Sequence, residues 1–178
     1  PTNLADNWMT WAYNDSDPNI WYPLQGVAFY DGAPPSTMCG SFGSILGDVA
    51  ESTSWPQAYY FRTRFVAPPN SGSGSIRLRG SIDDGVIFYL NGTEIYRNNM
   101  PAGKVDMYTS AITDGDPINC INSPDIAVTN FLSGTNLLAA EVHNSSDAAS
   151  LDLYYGVQID ATIAPTALPA LQIKRTNS

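Results

Sequence analysis

Asp83 and Asp84 are adjacent carboxylates followed by Gly85, at the point where one run of alternating apolar residues ends and the next begins. In a regular strand neighbouring side chains point to opposite faces, so the pair cannot flank one bond as general acid and general base. If the backbone leaves strand geometry there, through a bulge or an unusual peptide bond, both carboxylates turn toward one cation. Loop carboxylate oxygens are what Ca²⁺ takes, which makes Asp83 and Asp84 the candidate metal ligands. The plainer alternative is that they cap a turn by accepting hydrogen bonds from nearby backbone amides. His143 is the only histidine, so no multi-histidine metal site exists, and neither GxSxG nor HExxH occurs. On strand alternation Ala139, Glu141 and His143 share a face opposite Leu138, Ala140 and Val142. A polar cross-strand cluster with Arg62 and Arg64 is expected there, or else a binding surface. No pair of residues advertises catalysis, and the chain is expected not to be an enzyme.

Binding is better provided for. Trp21, Tyr22 and Trp55 lie in loop sequence, where flat rings can receive the apolar face of a sugar. The competing reading of a loop tryptophan beside Pro23 or Pro56 is that it plugs the end of a core. Asn98, Asn99 and Asn144 offer amides suited to sugar hydroxyls, although such residues also form ordinary turns. Trp8 and Trp11 are expected to fill the core. Cys39 and Cys120 are far apart, in turn-rich sequence without CxxC spacing, and read as a disulfide rather than a zinc site. In the chain-entropy model, closing so long a loop stabilises the fold by about 4 to 5 kcal/mol.

Composition bounds the partners. The net charge is −9, with lysine only at positions 104 and 174, so the basic face that releases counterions from nucleic acid is missing. Glutamate occurs only at 51, 94 and 141; the rest of the acid is aspartate, much of it beside Gly, Pro, Asn or Ser, as in loops. No apolar run approaches the length of a membrane span. A mature chain starting at Pro1 is what signal cleavage would leave, and with the cysteine pair an extracellular, secreted protein is expected. Sequons occur at Asn14, Asn91 and Asn144, and Asn91 is also accounted for by a turn.

The elements that must position these residues are strands. Among 178 residues, 13 prolines and 14 glycines are spread along the chain, and nowhere do apolar residues hold a helical period over a dozen positions. The clearest unit runs from Gly80 to Pro101. Val86, Phe88 and Leu90 alternate with Ile87 and Tyr89, Asn91-Gly92 supplies the two positive-φ residues of a tight hairpin, and Thr93 to Arg97 returns. Further strands are expected at Trp8 to Tyr13, Gln57 to Ala67, Ser75 to Ile82, Val105 to Ala111, Ile126 to Leu132, Asn136 to His143 and Leu151 to Ile163. An acidic loop is expected from Thr113 to Asp125. About eight strands at irregular spacing fit an all-β, two-sheet antiparallel sandwich.

Five segments in order carry a resemblance: Tyr59 to Phe65, Ile76 to Arg79, Asp83 to Gly92, Asn99 to Gly103, and Gly134 to His143. Together they resemble the galactose-binding-like jelly-roll domains that accompany secreted bacterial hydrolases and surface proteins. The likeness covers residues 57 to 161, matches the first fifty only loosely, and does not extend to the cysteine pair. The Asp-Asp-Gly turn is similar to one in protective-antigen-type lectin domains, where two such aspartates hold a Ca²⁺ that orients sugar hydroxyls. The resemblance implies a jelly-roll domain over residues 1–163, with 164–178 as an extended tail, linker or exchanged strand. It also implies a non-catalytic carbohydrate-binding or accessory role, with a polysaccharide or glycan as partner and a structural Ca²⁺. The alternative is a structural subunit of an extracellular assembly, a fibre or surface layer, whose tail strand Ala170 to Arg175 is lent to a neighbouring copy.

Overall fold

The computed structural model describes residues 4, 6–18, 21, 28–30, 57–69, 72–114, 119–146 and 153–164. Its regular elements are all strands: β1 (Ala28–Tyr30), β2 (Ala58–Ala67), β3 (Ser73–Asp83), β4 (Gly85–Leu90), β5 (Thr93–Asn98), β6 (Asn119–Asn122), β7 (Ile126–Val128), β8 (Gly134–His143) and β9 (Leu153–Ala164). They form two antiparallel sheets, consistent with a β-sandwich. One has the order β1-β9-β3-β6, with β7 also on β3; the other has the order β2-β8-β4-β5.

Alternation builds the interior. Ile76, Leu78 and Ile82 from the first sheet meet Val86, Phe88, Leu90, Leu138, Ala140 and Val142 from the second in one buried cluster. Phe61 and Tyr155 stack across it with ring centroids 3.9 Å apart. Burial holds the Tyr155 phenol well above its ordinary pKa, so it stays neutral among these apolar neighbours. On the far face of β3, Arg77 and Arg79 are exposed and pair with Asp125 and Asp160. Gly80 is required by proximity: a Cβ there would lie 2.1 Å from the carbonyl oxygen of Gly156 on β9.

Two local devices shape the sheets. β6 and β7 share one edge of β3, and Ser123 sits between them with its backbone N–H donating to the Leu78 carbonyl (2.9 Å). Its hydroxyl accepts from the Leu78 N–H (2.9 Å), so a side chain fills the gap in the ladder. The β4–β5 hairpin turns on Asn91 (φ 50°) and Gly92 (φ 88°), as its sequence predicts, with a bulge between Phe88 and Tyr89. Asn91 also ties the hairpin tip to β8. Its amide donates to the Asn130 carbonyl and to Asn136 Oδ1, and its oxygen accepts from the Leu137 N–H. The Asn91 sequon is thus occupied by structure.

The expected strands from Gln57, Ser75, Asn136 and Leu151 correspond to β2, β3, β8 and β9. Two others do not form. Trp8 to Tyr13 makes successive turns, held by the Thr10 N–H on the Asn7 carbonyl and the Thr10 hydroxyl on the same oxygen. Val105 to Ala111 is a loop in which Asp106 accepts from the Tyr108 N–H and the Thr109 hydroxyl, so side-chain capping replaces ladder bonds. Ile126 to Leu132 is strand only to Val128, and the expected acidic loop contains β6. The tail beyond Ala164 lies outside the described residues.

Candidate functional site

The outer face of the four-stranded sheet is polar and aromatic, and register decides which residues meet on it. Tyr60 of β2 faces Glu141 of β8, which faces Ile87 of β4, which faces Arg97 of β5; one step along, Arg62, Ala139, Tyr89 and Glu94 make the next row. The small Ala139 leaves space above β8 between the flanking rings. Trp8, from the N-terminal turns, enters that space with its ring edge-on to Tyr60 (4.8 Å, 68°) and to Tyr89 (5.7 Å, 82°), and only 5% of it is exposed.

Arg62 anchors this covering segment. Its guanidinium, 2% exposed, donates to the carbonyls of Trp8 and Thr10 and to Asp15 Oδ2 (3.1 Å). Arg64 reaches the same carboxylate oxygen at 2.6 Å. Burial alone would raise the Asp15 pKa, but hydrogen bonds and charge from Arg64 and Arg62 outweigh it and hold the carboxyl below the usual value. The second cover is the loop after β5, whose Met100 and Ala111 pack with Val105 and Tyr89 on Ile87.

Between the two covers lies an open groove of about 1010 Å³. Tyr60, Tyr89 and Glu141 line its sheet side; Leu4, Asp6, Trp8 and Met9 line one flank, the 102–107 segment and Thr109 the other, with Glu94 and Arg97 also on its lining. Lys104 reaches Asp6 at 3.3 Å, an exposed ion pair joining the two flanks. Glu141 has a side chain only 5% exposed. Its Oε1 accepts from the Tyr89 hydroxyl at 2.5 Å, and its Oε2 lies 3.4 Å from His143 Nε2. His143 is fully buried, and its Nδ1 lies 2.7 Å from the Thr109 carbonyl. A carbonyl only accepts, so Nδ1 carries the hydrogen. Burial and then the charge of Glu141 push the Tyr60 phenol up to about 12, and burial and the Glu141 hydrogen bond push Tyr89 further in the same direction. Both hydroxyls are therefore neutral donors at neutral pH.

The residues singled out from sequence fall elsewhere. Trp21 packs edge-on to Tyr13 (5.9 Å) with the Arg62 guanidinium 5.7 Å from its ring, and its Nε1 is buried. Tyr22, Trp55 and Cys39 lie outside the described residues, while Cys120 lies on β6 and no free cysteine occurs among the described residues. Asn98 ends β5. The Asn99 side chain is spent on the Asp84 and Thr113 carbonyls and the Thr113 N–H and hydroxyl. Asn144 is buried, its backbone bonded to Gln57 and Ala111. Asp83 and Asp84 form the corner where the chain passes between sheets. Asp83 pairs with Tyr154 in one sheet, and the Asp84 N–H donates to the His143 carbonyl in the other. The peptide bond between them is cis, both residues are 1% exposed, and Asp84 Oδ2 accepts from the Ser145 N–H at 2.6 Å. Trp8 is buried as expected, but on the outer face of a sheet rather than inside the sandwich; Trp11 is 42% exposed and donates to Asn91 Oδ1. Glu141 and His143 do adjoin, whereas Arg62 and Arg64 turn to Asp15 instead.

The groove residues carry one signal in the sequence, the outward alternation of Tyr60, Tyr89 and Glu141 on three separate strands. What that pattern lacks is the register that sets them side by side. Comparison with known proteins returns no match, whether to family models, curated proteins or solved structures.

Proposed function

We propose that this chain is a non-catalytic carbohydrate-binding or accessory unit of a secreted bacterial protein, with a galactose-binding-like jelly roll as its scaffold and a glycan as its partner. The observation that carries the reading is the groove over the four-stranded sheet, with two tyrosine rings, held by a buried tryptophan, beside fixed hydrogen-bonding groups. Sugar recognition asks for flat apolar surface with a few oriented polar partners, and the Tyr60 and Tyr89 hydroxyls, Glu94 and Asp106 supply these within one groove. This moves the proposed ligand surface from Trp21, Tyr22 and Trp55 to Tyr60 and Tyr89, with Trp8 packed against both rings.

A structural Ca²⁺ is part of the proposal. Two buried carboxylates at one sheet corner are hard oxygen donors of the kind the ion takes, and Asp83 and Asp84 would hold it. Bound there, the ion would tie the two sheets at their shared corner. A disulfide between Cys39 and Cys120 belongs to the same extracellular reading.

Isothermal titration against a panel of plant, algal and microbial polysaccharides, with calcium and with chelator, tests the function. Binding to at least one glycan that Tyr60→Ala weakens is expected. No binding to any member in either condition sinks it.

A further inference from the structure

The groove's charges differ in how far they are already committed. Arg97 donates to both oxygens of Glu94 (2.9 and 2.8 Å) and to the carbonyls of Pro101 and Gly103, so its guanidinium holds the groove's own loop together. That fork cannot grip an anionic ligand without releasing the loop. Lys104 is the other cation on the lining, and Asp6 faces it across the opening. The acids are less committed. Asp106 accepts from the Tyr108 N–H and the Thr109 hydroxyl at Oδ1, and no cation pairs with it among the described residues. Glu141 keeps Oε2 3.4 Å from His143 on the sheet side of the groove. The Thr109 hydroxyl and the Tyr108 N–H hold Asp106 below the usual carboxylate pKa, so it is ionised across the neutral range. Four carboxylates and two cations line the groove in a chain of net charge −9.

Two tyrosine rings beside these carboxylates provide what an ammonium group needs, a π face and a counter-charge. We infer that the groove selects glycans bearing free amino groups, a protonated amine lodging on the groove side of Tyr60 and Tyr89 against the carboxylates of Asp106 and Glu141. The inference rests on the groove being the glycan site and names its ligand class. Uronate and sulfated glycans meet net repulsion there, and N-acetylation removes the charge that the groove recognises.

The test is a set of titrations at low salt and a pH that protonates the amines. The probes are a glucosamine hexamer, its fully N-acetylated form, a neutral glucan hexamer, a uronate hexamer and a lysine hexapeptide. The expected result is glucosamine binding at least tenfold tighter than each of the others and weakening as salt rises. Asp106→Asn should weaken it several-fold with only a small fall in melting temperature, because the asparagine oxygen can accept the same two hydrogen bonds and only their charge assistance is lost. Equal or tighter binding of the acetylated, neutral or uronate oligomer overturns the amine preference and leaves the glycan reading standing. Lysine peptide binding as tight as glucosamine shows charge alone at work and also overturns it. Binding of none of the sugars, here or in the polysaccharide panel, removes both.

Discussion

Removing one oxygen tests how the groove's sheet side is held. In Tyr89→Phe the ring remains to pack against Trp8, 5.7 Å away, and only the hydroxyl that donates to Glu141 is lost. That bond is the one short hydrogen bond to Glu141 among the described residues, since His143 Nε2 stands 3.4 Å off. A hydrogen bond to a charged group contributes about 1.5–3 kcal/mol, and a carboxylate 5% exposed has little water to replace it. Tyr89→Phe should therefore lower stability by about 1.5–3 kcal/mol. At roughly 2–4 °C per kcal/mol for a domain of this size, the melting temperature should fall by about 3–12 °C. Urea titration at pH 7 measures it, with an unchanged m-value showing that the folded and unfolded states are otherwise alike. In a double-mutant cycle with Glu141→Leu, the two changes together should cost less than their sum, because the second removes the stranded carboxylate. A loss below about 0.5 kcal/mol, or strict additivity, would refute the idea that Tyr89 is what satisfies Glu141.

Ser123→Ala should cost about 1–3 kcal/mol in the same assay, since the Leu78 N–H in the middle of β3 loses its acceptor; a neutral result means the ladder closes without the hydroxyl. Asp15→Asn should cost about 1–3 kcal/mol, the worth of hydrogen bonds to a charged group, because Arg62 keeps its two carbonyl partners and Asp15 is 19% exposed. It should also speed proteolysis within residues 6–18; unchanged cleavage contradicts the anchoring role. Tyr60, with its folded pKa raised from 10.0 to about 12, favours the folded state fully below pH 10, and that contribution is lost as pH rises from 10 to 12. Stability of the Tyr60→Phe protein should fall less steeply over that window, and an identical slope in both proteins would be contrary to it.

Much of the scaffold was legible before any coordinates. Asn91-Gly92 has one good use between two alternating runs, and the hairpin forms there. Ile76 and Leu78 are fully buried while Arg77 and Arg79 are exposed, as period two requires. Glu141 and His143 share a face, as alternation along β8 requires. The misreadings have a common cause. Trp8 to Tyr13 looked like a strand because aromatic residues favour sheets, yet Asn7 and Thr10 close turns locally, and the segment serves as a cover. Asn99 looked free to bind a ligand, whereas at φ 54° it spends its whole amide on neighbouring backbone and on Thr113.

By itself, then, the order of residues determined that short antiparallel strands form, where the tightest hairpin turns, and which side chains share a face, because these follow from steric preferences acting over two to six neighbours. The tertiary structure alone decided that Tyr60, Tyr89 and Glu141 stand together, that Trp8 lies across them, and that a groove opens between two loop covers. Pairing between residues as distant in sequence as Tyr60 and Glu141 sets that arrangement, and alternation along one strand carries no information about which residue of another will lie beside it.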